Sequence, residues 1–165
     1  MNNSSGKILI AYFSHSGNTE ALAKQIQGAV GGDLFKITTV HTYPSVYNET
    51  TDLAKRELES GFRPELSSEV PEMDSYGVII LGYPNWWGTM PTALFSFLQK
   101  YDFSGKTILP FCTHEGSRLG RSVSDLTKIV SGRATVGEGL AVRGSAVNSA
   151  GDEVQRWLKS AGLIQ

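Results

Sequence analysis

Lys7–Phe13, KILIAYF, running directly into Ser14-His15-Ser16-Gly17-Asn18-Thr19, decides the fold of this 165-residue chain. The first seven residues are apolar at odd and even positions alike, as in a central strand of a parallel sheet with both faces covered. The six that follow hold three hydroxyls, an amide and a glycine, a composition suited to a tight turn and a helix start. Beyond them Leu22, Ile26, Ala29 and Val30 form a one-face helical stripe, which Gly31-Gly32 brings to a stop. One strand, one loop and one helix are thus legible in 26 residues, from 7 to 32.

The same alternation continues outward. Asp33–Val40 reads as a short strand. Residues 41–76 are the least periodic part, with a helix near Glu49–Glu59 ended by Gly61 and a loop marked by Pro64 and Pro71. Gly77–Gly82 (GVIILG) is a third strand, leading into Tyr83-Pro84-Asn85-Trp86-Trp87-Gly88 and then a helix with Leu94, Phe97, Leu98 and Tyr101 on one face. Thr107–Cys112 (TILPFC) is the fourth, opening into Thr113-His114-Glu115-Gly116-Ser117 and a helix carrying Leu119, Val123, Leu126 and Val130. Ala134–Ala141 predicts a fifth strand, and Val154, Trp157, Leu158 and Ala161 a last helix. Strands alternating with helices make the chain α/β, a single domain over 1–165, with 1–6 expected to be a disordered N-terminal tail.

Composition excludes several classes. Fifteen Lys and Arg against sixteen Asp and Glu, a formal charge of −1, argue against nucleic acid and anionic membrane as partners. The longest apolar run, Ile8–Phe13, is far shorter than the roughly 18 residues of a membrane span, so no membrane insertion is expected. Cys112 stands alone and cannot form an internal disulfide or a multi-cysteine metal site, which fits a reducing compartment and a cytoplasmic location. At the end of an apolar strand it is expected to be an inert, packed thiol.

Open parallel sheets bind ligands beyond the carboxyl ends of their strands, where strand order reverses. The loops after the first, third and fourth strands are the three that depart from ordinary composition. Residues 14–19 carry no Lys or Arg, yet hydroxyls and the unpaired amides of a helix N-terminus can hold a phosphate; the alternative is that they only cap the helix. The P-loop order G-x-x-x-x-G-K-[ST] and the dinucleotide order G-x-G-x-x-G are both missing there, and Gly137-Glu138-Gly139 is only a fragment of the latter. Pro84-Asn85-Trp86-Trp87-Gly88 sets two indoles beside a glycine at a strand end. Either the indoles seal the core or one of them covers a planar ring, with Gly88 allowing close backbone approach. Thr113 through Ser117, with Gly120 beyond, offers backbone donors, hydroxyls and the Glu115 carboxylate for the polar edge of a heterocycle. No G-x-S-x-G elbow exists, and Arg118 stands where an H-E-x-x-H helix from His114-Glu115 needs its second histidine, so hydrolytic and metal chemistry lack a motif.

KILIAYFSHSGNT, GVIILGYPNWWG and ILPFCTHEGS together resemble the flavodoxin-like family over nearly the whole chain. The most specific part, Ser14 to Thr19, is similar to the [ST]-x-[ST]-G-x-T phosphate loop of that family. The resemblance implies a three-layer, doubly wound, five-stranded parallel sheet in the order 2-1-3-4-5, and FMN as cofactor. By it, Ser14, His15, Ser16, Gly17, Asn18 and Thr19 hold the phosphate. Pro84, Asn85, Trp86, Trp87 and Gly88, with Thr113, His114, Glu115, Gly116, Ser117 and Gly120, enclose the ring. The near-neutral charge departs from the acidic flavin surroundings usual among electron-carrier members, and the short chain leaves no room for the insertion of long-chain ones. The expected function is electron transfer through bound FMN, to a redox partner protein or a small-molecule acceptor. An NAD(P)H-dependent reductase of quinones or other small acceptors is one alternative, and a non-catalytic flavin-binding module is another. No side chain need act as acid or base, because the flavin supplies the chemistry.

Overall fold

The computed structural model describes residues 7–15, 17–40, 47–61 and 63–164, with only the backbone considered for 47–51. The tail expected over 1–6 lies outside the described residues, as does Ser16. Among the described residues, five helices and six strands follow one another in the order β1 (Lys7–Tyr12), α1 (Asn18–Val30), β2 (Asp33–Lys36), α2 (Tyr47–Ser60), β3 (Tyr76–Pro84), α3 (Thr92–Lys100), β4 (Thr107–His114), α4 (Ser122–Ile129), β5 (Thr135–Val136), β6 (Leu140–Arg143) and α5 (Gly151–Ser160). Short 3₁₀ turns occupy Met73–Ser75 and Gly144–Ser149. All strand pairs are parallel and the sheet runs β2-β1-β3-β4-β5, with β6 also paired to β4. This is the expected order of five strand positions, with a sixth strand attached.

That extra strand comes from a break in the expected fifth one. Ile108 of β4 pairs with Val136 and Phe111 with Leu140, so three steps along β4 face four along its partner. One surplus residue must bulge out. Gly137 sits where a side chain would overlap Leu109, and the Trp157 indole N–H donates to the Glu138 carbonyl at 2.8 Å, pinning the bulge to α5. Hydropathy alone reads straight across it. The second strand is likewise shorter than expected and ends at Lys36, and Thr39 beyond it forms an isolated antiparallel bridge to Leu66.

Both faces of the sheet are covered, which is why β1 is apolar at every position but its first. Leu9, Ala11, Ile79, Leu81, Ile108 and Cys112 point to the side of α3 and α4. Ile10, Tyr12, Ile80, Leu109 and Phe111 point to the side of α1 and α5. Most of each predicted stripe is covered: Leu22 and Ile26 of α1, Phe97 and Leu98 of α3, Leu126 of α4 and Leu158 of α5 are 0–1% exposed, whereas Ala161 lies past the end of α5 and is exposed. At about 25 cal/mol per Å² of apolar area removed from water, these two layers dominate the stability of the domain. They also hold the carboxyl ends of β1, β3 and β4 side by side.

Candidate functional site

Strand order reverses between β1 and β3, and the three loops beyond β1, β3 and β4 meet there. In the first, Gly17 adopts φ 98° and caps α1 without a side-chain bond. Ser14 supplies that bond from upstream: its Oγ accepts the amide hydrogens of Gly17 and Glu20, each at 3.2 Å. Among the described residues the amides of Asn18 and Thr19 have no acceptor, so the α1 N-terminus keeps two donors and its partial positive charge for an anion. Helix capping and anion binding are therefore compatible here. The Thr19 hydroxyl is turned inward, 2.8 Å from that of Thr113 in a buried pair, and ties the first loop to the third. The exposed His15 ring meets Trp86 edge-on at 5.9 Å between centroids.

The second loop is a reverse turn. Trp86 and Thr89 exchange backbone bonds of 2.9 and 3.2 Å, and the two residues between them have positive φ, 56° at Trp87 and 83° at Gly88, the pattern of a type I′ turn. Asn85 locks it in three directions. Its N–H donates to the Thr113 carbonyl at 2.8 Å, its Oδ1 accepts from Gly88 N–H at 2.9 Å, and its Nδ2 donates to the Arg118 carbonyl at 2.6 Å. The structure separates the two tryptophans. Trp86 is half-buried with its ring perpendicular to Phe13, whereas Trp87 is 46% exposed with the Lys55 ammonium 5.1 Å from its ring centre.

The third loop closes on the second. Arg121 N–H donates to the Gly88 carbonyl at 2.7 Å, and a Cβ on Gly120 would overlap that same carbonyl. Glu115 Oε2 and Asn18 Nδ2 both converge on Gly144, 2.5 and 2.6 Å from where its Cβ would lie, so first and third loops also meet over the end of β6. Gly116 and Ser117 are exposed, and Pro84 pairs in register with Thr113. Cys112 lies beneath, where burial pushes its thiol up to about 12 and its Sγ donates to the Arg118 carbonyl at 3.2 Å. It is fully buried, the packed position expected at the end of this apolar strand.

Gly116 N–H donates to His114 Nδ1 at 2.9 Å, an arrangement that favours the neutral ring with its proton on Nε2. Desolvation, followed by the charges of Arg143 and Arg118, lowers the His114 pKa below its usual 6.5. The folded state thus binds this proton less well than the unfolded chain, so its contribution to stability is present above about pH 6.5 and is lost as pH falls through the depressed folded value. NMR titration of His114 should give a midpoint below 6.5. The His114→Gln variant should show a shallower loss of melting temperature between pH 7 and 5; equal slopes would remove this role.

Sequence reasoning names the three loops but misses the positive charges around them. Lys55, Arg118, Arg121 and Arg143 are exposed at the rim, from α2, the third loop and β6. Arg121 Nη1 donates to the Trp87 carbonyl at 3.3 Å and Arg143 Nη1 to that of Glu115 at 3.1 Å. Only adjacency in the fold assembles them, although Arg118 and Arg121 follow the third loop closely enough in sequence to signal charge there.

A family model described as Flavodoxin matches residues 7–161. Among solved structures, the chain is similar to one from Bacteroides uniformis ATCC 8492 designated a flavoprotein, with 29% identity, TM-score 0.83 and coverage of 94% of this chain and 99% of that one. Another so designated, from Bacteroides eggerthii DSM 20697, shares 31% identity at TM-score 0.75 over 90% of this chain and 98% of its own. A flavoprotein in complex with FMN from Lactobacillus acidophilus NCFM, 22% identical, shares the fold at TM-score 0.73 over 91% of this chain and 99% of its own. No curated protein matches. No helix among the described residues is long and apolar enough to cross a membrane.

Proposed function

Because the chain belongs to the flavodoxin family, we propose that it binds FMN in the crevice formed by its three loops and transfers electrons through it. The observation that carries this reading is the meeting of an α1 N-terminus, whose Asn18 and Thr19 amides have no acceptor among the described residues, with two clamped, glycine-bearing turns and a half-buried indole. The donor set fits the group. A phosphate is matched by the Asn18 and Thr19 amides and the Ser14 hydroxyl without any cation; Ser16, proposed with them, lies outside the described residues. A flat conjugated ring is matched by Trp86 and by the close backbone approach at Gly88 and Gly120.

Bound flavin supplies one- and two-electron chemistry. This chain's residues bind, orient and bias it. Trp86, braced by Phe13 and His15, offers an aromatic wall, and Asn85 holds the Gly88 amide in place. Glu115, beside Asn18 at the junction of two loops, places negative charge at the site. A carboxylate there disfavours addition of further negative charge, so Glu115→Gln should raise the potential of the second electron on the order of tens of millivolts. Anaerobic spectroelectrochemistry reads this directly, and an unmoved potential would remove Glu115 from the tuning role.

The reading is tested by adding FMN to apo-protein while following the visible spectrum and tryptophan fluorescence. A saturable shift of the flavin bands together with quenching of tryptophan fluorescence, the quenching lost or weakened in Trp86→Ala, supports it; no change in either overturns it. A reductase of small acceptors is the second reading, and the exposed cations Lys55, Arg118, Arg121 and Arg143 favour it, since an acidic rim is what a carrier steering toward basic proteins would show.

A further inference from the structure

The turn that carries both tryptophans is held from behind by a residue that belongs to none of the three loops. Asp125 stands in the first turn of α4, where the helix dipole favours a carboxylate. Its Oδ2 meets two donors, the Thr89 hydroxyl at 2.5 Å and Arg121 Nε at 3.4 Å. Each donor leads into the turn. Thr89 is the closing residue, exchanging backbone bonds with Trp86. It is 0% exposed, so its hydroxyl is shut off from solvent, and among the described residues Asp125 is the one acceptor it has. Arg121 reaches the other side, donating from Nη1 to the Trp87 carbonyl at 3.3 Å and from its own amide to the Gly88 carbonyl at 2.7 Å. One half-buried carboxylate on α4 thus gathers both ends of a turn that begins some forty residues earlier in the chain.

The turn needs such a hold. Trp87 stands at φ 56°, a conformation that glycine adopts freely and a tryptophan does not, and it persists only where the surroundings over-determine it. Asn85 fixes the turn from the strand side, through the Gly88 amide. Asp125 fixes it from the helix side, with bonds that are charge-assisted and therefore stronger than neutral ones. Its negative charge also keeps the Arg121 guanidinium at the Trp87 carbonyl instead of free in solvent. Resting on the FMN reading above, we propose that Asp125 is a positioning residue for the flavin crevice: through Thr89 and Arg121 it locks the tryptophan-bearing turn against the third loop, so that the wall presented by Trp86 is set before the flavin arrives. Ordering that wall in advance leaves less freedom to be lost on binding, which raises affinity without any contact between Asp125 and the ligand.

The test uses the full-length protein, with FMN titration, thermal unfolding, and amide hydrogen exchange of Thr89 and Arg121 in the apo-protein. Asp125→Ala should bind FMN about tenfold more weakly and exchange both amides about tenfold faster, the scale of one lost charge-assisted bond. Asp125→Asn keeps an acceptor for Thr89 but no charge for Arg121, and should recover to about threefold weaker than wild type. Thr89→Val removes one arm, so its loss combined with Asp125→Ala should be smaller than the product of the two single losses. Thr127→Gly, on the exposed side of α4, separates positioning from helix stability: it should lower the melting temperature while leaving FMN affinity within about twofold. FMN affinity of Asp125→Ala within threefold of wild type, or a loss equalled by Thr127→Gly, overturns the positioning role and leaves the FMN reading standing. A wild-type protein that takes up no FMN overturns that reading and the crevice role with it. Amide exchange in the apo-protein still decides whether Asp125 holds the turn, faster exchange in Asp125→Ala supporting the clamp and unchanged exchange overturning it.

Discussion

Gly120→Ala should weaken FMN binding on the order of 100-fold, the largest functional effect expected of any single methyl group in this protein. Two costs add at that position. The backbone stands at φ 54°, where an L-residue is strained by roughly 1 kcal/mol or more. The added Cβ would also overlap the Gly88 carbonyl and come within 3.1 Å of Asn85 Nδ2. Neither neighbour is a flexible side-chain end. Gly88 belongs to a reverse turn whose carbonyl accepts from Arg121 N–H at 2.7 Å, and Asn85 is held by three hydrogen bonds. The methyl group can be accommodated only by moving the third loop off the second, which opens the walls between which the flavin is proposed to lie. Because both loops are peripheral to the two apolar layers, the fold should persist with a loss of about 1–3 kcal/mol. Titration of apo-protein with FMN checks the first effect and thermal unfolding the second. An affinity within threefold of wild type would show that the two loops do not enclose the flavin together.

Gly82→Ala should have the larger effect on stability. Gly82 pairs in register with Phe111 across β3 and β4, and the outer end of the Phe111 ring lies over it, so a Cβ would run into the ring. Phe111 is 0% exposed and packs on Trp157 at 6.3 Å between centroids, so it has no solvent side to yield to. Overpacking of a rigid interior costs about 3 kcal/mol or more, which for a chain of this length corresponds to a melting temperature lower by roughly 6–12 °C. Combining Gly82→Ala with Phe111→Leu makes room for the methyl group and should recover more than about 1 kcal/mol relative to additivity. Denaturant melts of the two single variants and the double variant complete the cycle. Additive losses would mean that the ring moves aside without cost.

Much of the architecture is legible in the order of residues alone. Continuous apolar runs such as KILIAYF mark strands covered on both faces, and the stripe through Leu22 and Ile26 marks a covering helix, because period and burial are local consequences of backbone geometry. Loop composition is legible for a similar reason. Hydroxyls and glycine at a helix start announce unpaired amides, and two adjacent indoles beside a glycine announce a turn that something flat could cover. The bulge in the fifth strand is not legible, since it depends on Leu109 and Trp157 packing against Gly137 and Glu138 from other elements.

What the sequence by itself determined was the parallel α/β fold and the three loops that meet at its carboxyl edge. Tertiary structure alone decided which indole braces the crevice and which faces solvent, and that the Thr19 hydroxyl meets that of Thr113 in a buried pair. It alone joined Asn85 to Arg118, 33 residues apart, and brought Lys55, Arg121 and Trp87 to one rim. The physical reason is the same in each case. Secondary structure follows from the spacing of residues along one segment, but a site is made by contacts between segments, and those are fixed only when the two apolar layers close and bring the strand ends into register.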